Sequence, residues 1–292
     1  MRNSFLFILI FSVFNICISQ NQYEFVGGIK LNDSLVIPYT VSFAENNGKI
    51  SGYSVTDLGG EHETRSNIYG KYSLNDKALT FKETGIVYTK SPVSQQDFCF
   101  LNVTIKSFVF GKSEKIKSNF VGLFSDNTEC INGELLLSSK EKVDERMKKM
   151  VKKINKSKKI ADSIKQKLNL LKMMDTMKMN VLKKDETLSV FTKSNTIKLI
   201  IFDGGKEDGD KISILVNNKV VLSGYEAKAD KKIISIPITK EKTSLVIQAV
   251  NEGEIAPNTV IVEIDDNDNL IKALSNLKKH EKTQIDILRT KK

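Results

Sequence analysis

The stretch FDGGKEDGDKISILVNN, residues 202–218, changes from a loop into a strand, and this change indicates the fold class of the second half of the chain. Its first nine residues hold four acidic side chains and three glycines. Ile212, Ile214 and Val216 then occupy alternate positions, which is the pattern of a strand with one buried face. Similar short runs follow as KVVLS, KIISIPI, TSLVIQAV, NTVIVEI and TQIDIL. Residues 186–292 are therefore predicted to form a β-sandwich, with a short helix over LIKALSNLKKHEK.

The acidic loop has two interpretations. Asp203, Glu207, Asp208 and Asp210 can supply the hard oxygen ligands that Ca²⁺ prefers, and Asn217, Asn251 and Asn258 are possible additional ligands from later loops. An EF-hand is excluded because its spacing would need a glycine at position 208 and a glutamate at position 214. The alternative is a solvated turn, since both Asp-Gly pairs favour hairpin turns.

This loop also carries a resemblance. The pattern D-x-G-x-x-D-G-D from Asp203, with Asn217 after it and AVNEGEIAPNT at 249–259, resembles a recurrent β-sandwich module of exported envelope proteins in Bacteroidota. Asn218 replaces the glycine that usually follows the asparagine, and both residues suit such a turn. The match covers about the last 100 residues. The resemblance implies an exported sandwich and favours the Ca²⁺ interpretation, but it implies no activity.

Residues 20–139 are predicted to form the first β domain. They contain short runs rich in Val, Ile, Tyr, Phe and Thr, and turn signals such as ENNGK, LNDK and KETG separate these runs. This spacing indicates an antiparallel meander that is closed as a barrel or stacked as a sandwich. The fold class is therefore mainly β, with two antiparallel β domains joined by the segment 140–185.

The joining segment is predicted to be a long basic amphipathic α-helix followed by a linker. Residues 140–184 hold 16 basic and 5 acidic side chains, so this segment accounts for the net charge of +10 of the whole chain. Apolar or small residues recur in strict heptad steps from Val143 to Leu171, as in a coiled coil. Gly and Pro are absent from 140 to 203, and a continuous helix over about 36 residues would be about 54 Å long.

The charges beside this apolar seam limit what the helix can bind. A parallel homodimer would place like charges opposite each other, because the flanking positions hold Lys153, Lys158, Lys165, Lys167 and Lys172. Three alternatives remain: packing on the chain's own β domains, pairing with an acidic helix or antiparallel with itself, or lying on an anionic membrane surface. Nucleic acid is not expected as a partner, since no aromatic residue is interleaved with the lysines.

The N-terminus predicts export. Residues 1–19 combine Arg2 with an apolar run, and small residues at Cys17 and Ser19 suit cleavage before Gln20. Cys17 could instead accept a lipid, although bulky Ile16 precedes it. The two remaining cysteines, Cys99 and Cys130, are then predicted to form a disulfide. The expected location is the periplasm, the outer membrane or the exterior.

Together these features predict an exported binding or scaffolding protein that recognises an envelope protein or polysaccharide. The alternative is a hydrolase acting on envelope polysaccharide, with Asp57, Glu61 and His62 as its catalytic residues, because they form the densest polar patch of the first domain. No G-x-S-x-G, H-E-x-x-H or phosphate-binding glycine motif is present. Calcium is the only cofactor that the sequence suggests.

Overall fold

The structure is a computed structural model that describes residues 22–32, 34–92, 97–157, 159–160, 179–205 and 207–290. The predicted signal and Cys17 lie outside these residues. The first eight strands are β1 (Gln22–Lys30), β2 (Val36–Asn46), β3 (Lys49–Thr56), β4 (Thr64–Ser73), β5 (Ala78–Thr89), β6 (Phe100–Ile105), β7 (Lys115–Leu123) and β8 (Glu129–Ser139).

These strands form a closed antiparallel barrel. Each strand pairs with the next, and β8 returns to pair with β1, so every barrel strand has a partner on both sides. The inward positions alternate along each strand, as Tyr39, Val41 and Phe43 do on β2, and all three are buried. Of the two architectures that the sequence left open for residues 20–139, the structure forms the barrel.

Aromatic rings fill one end of the barrel, where β1 and β3 begin. Tyr23, Phe43, Tyr72, Phe108 and Phe110 pack there, with ring centroids from 4.6 Å (Tyr23–Phe110) to 6.5 Å (Phe43–Phe110) apart. Several of these pairs have the edge-to-face geometry that aromatic rings prefer. This end of the barrel is therefore closed by its own side chains. The predicted Cys99–Cys130 disulfide is present near the opposite end, where β6 and β8 begin.

The C-terminal strands form a sandwich of two sheets. They are β9 (Asn180–Leu182), β10 (Thr187–Thr192), β11 (Thr196–Asp203), β12 (Lys211–Val216), β13 (Lys219–Glu226), β14 (Lys232–Pro237), β15 (Lys242–Ala249), β16 (Val260–Asp265), β17 (Leu270–Ser275) and β18 (Lys282–Arg289). One sheet has the order β13-β12-β15-β18-β10, and the other has the order β14-β11-β16-β17-β9. Their facing aliphatic side chains form one core, which includes Ile214, Leu245, Leu199 and Val262.

Strand β5 connects the two cores. It pairs with β6 only from Leu79 to Lys82, and beyond this point β10 lies beside it, with Val190 opposite Tyr88. The barrel sheet and one sandwich sheet are thus continuous. Val87 and Tyr88 belong to the sandwich core although they are contributed by a barrel strand. The boundaries predicted at 139 and 186 stay a prediction.

The helix is shorter than the sequence predicted. Helix α1 spans Lys140–Lys156, and Ser157 after it is extended, with φ −72° and ψ 122°. Val143 and Met147 face the outer surface of the barrel, whereas Met150 is 47% exposed, and no residue of α1 is fully buried. Lysines three and four residues apart in the later turns repel one another. Lys153 lies in α1 and is exposed, whereas Lys158, Lys165, Lys167 and Lys172 lie outside the described residues.

One smaller prediction is wrong. The segment LIKALSNLKKHEK does not begin as a helix, because Leu270–Ser275 forms β17. Ile271, Ala273 and Ser275 are buried at every second position, which is the strand period. Residues 180–182 lie in the predicted linker segment, form β9 and pair with β17. In the described part of the chain, no helix is long and apolar enough to span a bilayer.

Candidate metal centre

The acidic loop joins β11 to β12 at one end of the sandwich. Asp203 is the last residue of β11, and Asp210 directly precedes β12. The backbone of residues 227–229 holds both ends of the loop: the Asp203 amide donates to the Lys228 carbonyl, and the Ala227 amide donates to the Asp210 carbonyl. This attachment turns the aspartate side chains inward rather than toward solvent.

Three aspartates are buried in this loop. Their exposed fractions are 5% for Asp203, 9% for Asp208 and 1% for Asp210. One oxygen of each carboxylate accepts a backbone amide. Asp203 Oδ1 accepts Gly205 at 2.8 Å, Asp208 Oδ2 accepts Ile255 at 3.0 Å, and Asp210 Oδ2 accepts Thr259 at 2.8 Å. The solvated-turn interpretation therefore does not describe these three side chains.

Two of the other carboxylate oxygens lack such partners. Among the described residues, no group donates a hydrogen bond to Asp203 Oδ2 or Asp210 Oδ1, and both atoms are buried. Asp208 Oδ1 and Asp210 Oδ1 both border Gly253, where an added Cβ would lie 2.7 and 2.8 Å from them. Gly253 also has φ 61°, which favours glycine. Gly253 thus allows its loop to approach two carboxylates that a larger residue would push away.

The electrostatics of the cluster are unfavourable for negative charge. Burial raises the pKa of Asp210, and the charges of Asp208 and Asp203 raise that pKa further, while the Thr259 amide opposes the shift. A buried carboxylate oxygen without a donor is costly unless a cation or a proton compensates for it. Within the described residues, however, no set of three or more His, Cys, Asp or Glu side chains has the spacing of an assembled metal centre.

The structure does not bring the remaining predicted ligands to this cluster. Glu207 is exposed, and its Oε1 accepts the Ala229 amide at 2.7 Å. Asn217 lies at the opposite end of β12 and accepts the Ser244 amide. Asn251 and Asn258 lie near the cluster, but their side chains connect the loops. The Asn251 side chain accepts the Lys211 backbone amide and donates to the Gly209 carbonyl. The Asn258 side-chain amide donates to the Lys211 and Asn251 carbonyls.

The polar patch of the barrel lies between β3 and β4. Glu61 and His62 are exposed. Asp57 Oδ2 accepts the backbone amide of His62 at 2.9 Å, so this carboxylate orients the backbone and not the ring. The His62 ring nitrogen Nδ1 lies 3.2 Å from the Ser91 hydroxyl. The hydrolase hypothesis stays a prediction.

Sequence reasoning missed two buried glutamates in the barrel. Burial raises the pKa of Glu63, although the Gly59 amide, Lys90 and Tyr88 counteract the shift. Burial also raises the pKa of Glu83, whose carboxylate accepts hydrogen bonds from Leu101, Ser54 and Tyr39. Glu83 stands at the inward position of β5 that follows Leu79 and Phe81, and this alternation is the only signal in the sequence that could have indicated its burial.

Comparisons with known proteins do not add a family: no family model, no curated protein and no solved structure matches the chain.

Proposed function

We propose that the protein is an exported binding or scaffolding protein of the cell envelope, and that Ca²⁺ stabilises its C-terminal sandwich. The observation that carries the cation is the pair of buried, unpartnered oxygens, Asp203 Oδ2 and Asp210 Oδ1. Together with Asp208 Oδ1 they offer hard oxygen donors of the kind that Ca²⁺ binds. The ion would neutralise carboxylates that now repel one another.

The proposed ligands are Asp203, Asp208 and Asp210, with water or backbone carbonyls completing the coordination shell. Because these aspartates are almost fully buried and their hydrogen bonds join two loops, we propose a structural ion rather than a catalytic one. The ion would hold together loops 204–210 and 250–259 at one end of the sandwich. Those loops are then available to bind an envelope protein or polysaccharide.

Two features support the proposed export. The Cys99–Cys130 disulfide is of the kind that persists in oxidising compartments. The N-terminal 19 residues have the composition of a secretory signal. The exposed basic side chains of α1, including Lys153, suit an anionic surface or partner as a second contact.

The experiment is calorimetric titration of Ca²⁺ into the chelator-treated chain, combined with thermal unfolding in chelator and in Ca²⁺. The whole chain from residue 20 is required, because Val87 and Tyr88 belong to the sandwich core. We expect saturable binding and a higher melting temperature in Ca²⁺. At 100 times the dissociation constant, the ion would stabilise the folded state by about 2.7 kcal/mol.

Asp210→Asn separates an ion site from a merely buried carboxylate. The variant should lose Ca²⁺ binding, yet it should be more stable than the wild type in chelator by about 1 kcal/mol, because an uncompensated buried charge is removed. Asp230→Asn is the matched control, since Asp230 is exposed in the neighbouring loop. Wild-type protein that shows neither heat nor a shift in melting temperature would rule out the ion.

A further inference from the structure

The end of the barrel opposite the aromatic rings contains a cavity of about 230 Å³. Apolar side chains from β1, β2 and β7, namely Ile29, Ile37 and Phe120, form much of its wall. Phe98 and Phe100 line it beside Cys99 of the disulfide. The cavity is therefore inside the barrel and mainly apolar, and none of its lining residues belongs to the acidic loop.

Small side chains create this space. Deeper in the barrel, β3 and β4 place Ile50 and Ile68 inward, and both are fully buried. Nearer the cavity, the same strands present Thr56, Thr64 and Ser66. Protein interiors are normally packed without large voids, so hydroxyl-bearing residues at inward positions leave room for another molecule.

The cavity lies beside a gap in the barrel wall. The β5–β6 ladder ends at the pair Lys82–Asn102, because the later part of β5 pairs with β10 instead. Just beyond this end, the Leu101 amide donates to Glu83 Oε2 at 2.8 Å, so the Glu83 side chain replaces the missing backbone partner. The wall is thus interrupted at the point where the cavity reaches Glu83.

Glu83 gives the cavity one polar feature. Its Oε1 accepts the hydroxyls of Ser54 at 2.5 Å and Tyr39 at 3.0 Å, whereas Leu101 is the only donor to Oε2 among the described residues. A carboxylate oxygen can accept two hydrogen bonds, so Oε2 retains one acceptor position. No ion pair joins Glu83 to a lysine or arginine among the described residues.

We propose that this cavity binds a compact, mainly apolar small molecule that carries one hydrogen-bond donor, with the apolar part against Ile29, Ile37 and Phe120 and the donor on Glu83. The volume limits the size of the ligand. It exceeds the cavity of about 150 Å³ that accommodates benzene, and it is smaller than the pockets of about 300–1,000 Å³ that hold drug-sized ligands. The site is separate from the proposed Ca²⁺ site.

Indole is a suitable probe, because it is compact and apolar and has one N–H donor. The chain contains no tryptophan, so the fluorescence of indole can be followed without background from tryptophan. We expect saturable binding of indole to the whole chain in chelator as well as in Ca²⁺. 1-Methylindole, which lacks the donor, should bind about tenfold more weakly, as expected for one lost hydrogen bond to a charged group.

Two variants test the location. Ser66→Leu fills the cavity and should abolish indole binding without lowering the melting temperature. Asn67→Leu is its matched control, since the next residue of β4 points to the other face of the sheet. Glu83→Gln keeps the size of the side chain and should reduce the preference for indole over 1-methylindole.

Three results would overturn the proposal: no saturable binding up to the solubility limit of indole, equal affinity of the wild type for indole and 1-methylindole, or unchanged affinity in Ser66→Leu. If Glu83→Gln fails to fold, the Ser66→Leu and Asn67→Leu pair still decides the site. The Asp210→Asn variant, which should not respond to Ca²⁺, should bind indole with the affinity of the wild type. Failure of one proposal is therefore distinguishable from failure of the other.

Discussion

At the scale of single residues, the chain buries acidic groups in two different ways. Glu83 accepts hydrogen bonds from three donors, whereas one oxygen of Asp210 has no donor among the described residues. In the first arrangement each carboxylate oxygen has at least one donor, and in the second one oxygen requires compensation from outside the chain. This contrast is why the acidic loop, and not the barrel glutamate, is the proposed cation site.

Glu63 provides a prediction of pH dependence. Its pKa is raised above the usual value of 4.5 mainly by burial, so the folded state keeps a proton that the unfolded state has already lost. This carboxyl should therefore contribute a rise in the free energy of unfolding as the pH falls from neutral through its raised pKa, and its contribution should be complete below about 4.5. Glu63→Gln should remove part of the rise, measured by urea denaturation between pH 4 and pH 8.

Glu61→Gln is the control for this measurement, because Glu61 is exposed two residues away. We expect its pH profile to follow that of the wild type. Burial also raises the pKa of Glu83, so the free energy of unfolding of Glu63→Gln should still depend on pH, with a smaller slope than in the wild type. An unchanged slope in Glu63→Gln would contradict the assignment.

At the scale of secondary-structure elements, β5 has the widest role. Its first half completes the barrel and its second half supports the sandwich through β10. Helix α1, in contrast, contacts the barrel through its first turns, with Val143 and Met147 on that side. The strand that joins the two cores is thus more consequential for stability than the helix between them in sequence.

We predict that Val87→Ala destabilises the protein by about 1–3 kcal/mol, because Val87 is 1% exposed and lies in the sandwich core. Val121→Ala on the outside of the barrel is the control, since Val121 is 43% exposed, and its effect should be within about 0.5 kcal/mol. Hydrogen exchange measured segment by segment should show faster exchange in β10 and β4 together for Val87→Ala. Equal effects of the two substitutions would show that β5 does not contribute to the second core.

Local patterns predicted the strands well and the connections between distant strands poorly. The alternation in KISILV was sufficient to predict β12, and the even cysteine count was sufficient to predict the disulfide. The β5–β10 pairing was not predictable, because Val87 and Tyr88 look like the end of any buried strand. The predicted helix continued past Ser157, where α1 has ended, because a heptad pattern gives no measure of the packing available to a helix. In the acidic loop, the sequence indicated Asp203, Asp208 and Asp210 as candidate ligands. It did not predict the close approach of Gly253 or the hydrogen bonds by which Asn251 and Asn258 connect the loops, because these depend on contacts between distant loops.

At the scale of the whole molecule, the disulfide and the continuous sheet should act together. Cys99–Cys130 closes a loop with a sequence separation of 31 beside the barrel cavity. Replacing both cysteines by serine should lower the free energy of unfolding by roughly 3–4 kcal/mol in the chain-entropy model. Because β5 belongs to both cores, we expect one denaturation transition that shifts as a whole, monitored by near- and far-ultraviolet circular dichroism. Separate transitions for barrel and sandwich would contradict this expectation.

The shared strand β5 also limits how this protein can be divided in evolution or in the laboratory. A gene segment for residues 179–290 would encode a sandwich without Val87 and Tyr88, and the edge of β10 that faces β5 would be left unpaired. Such an edge invites association with other chains. Recombination between the two halves is therefore expected to yield aggregating products unless the donor also brings the end of β5, so the two units should be inherited as a pair.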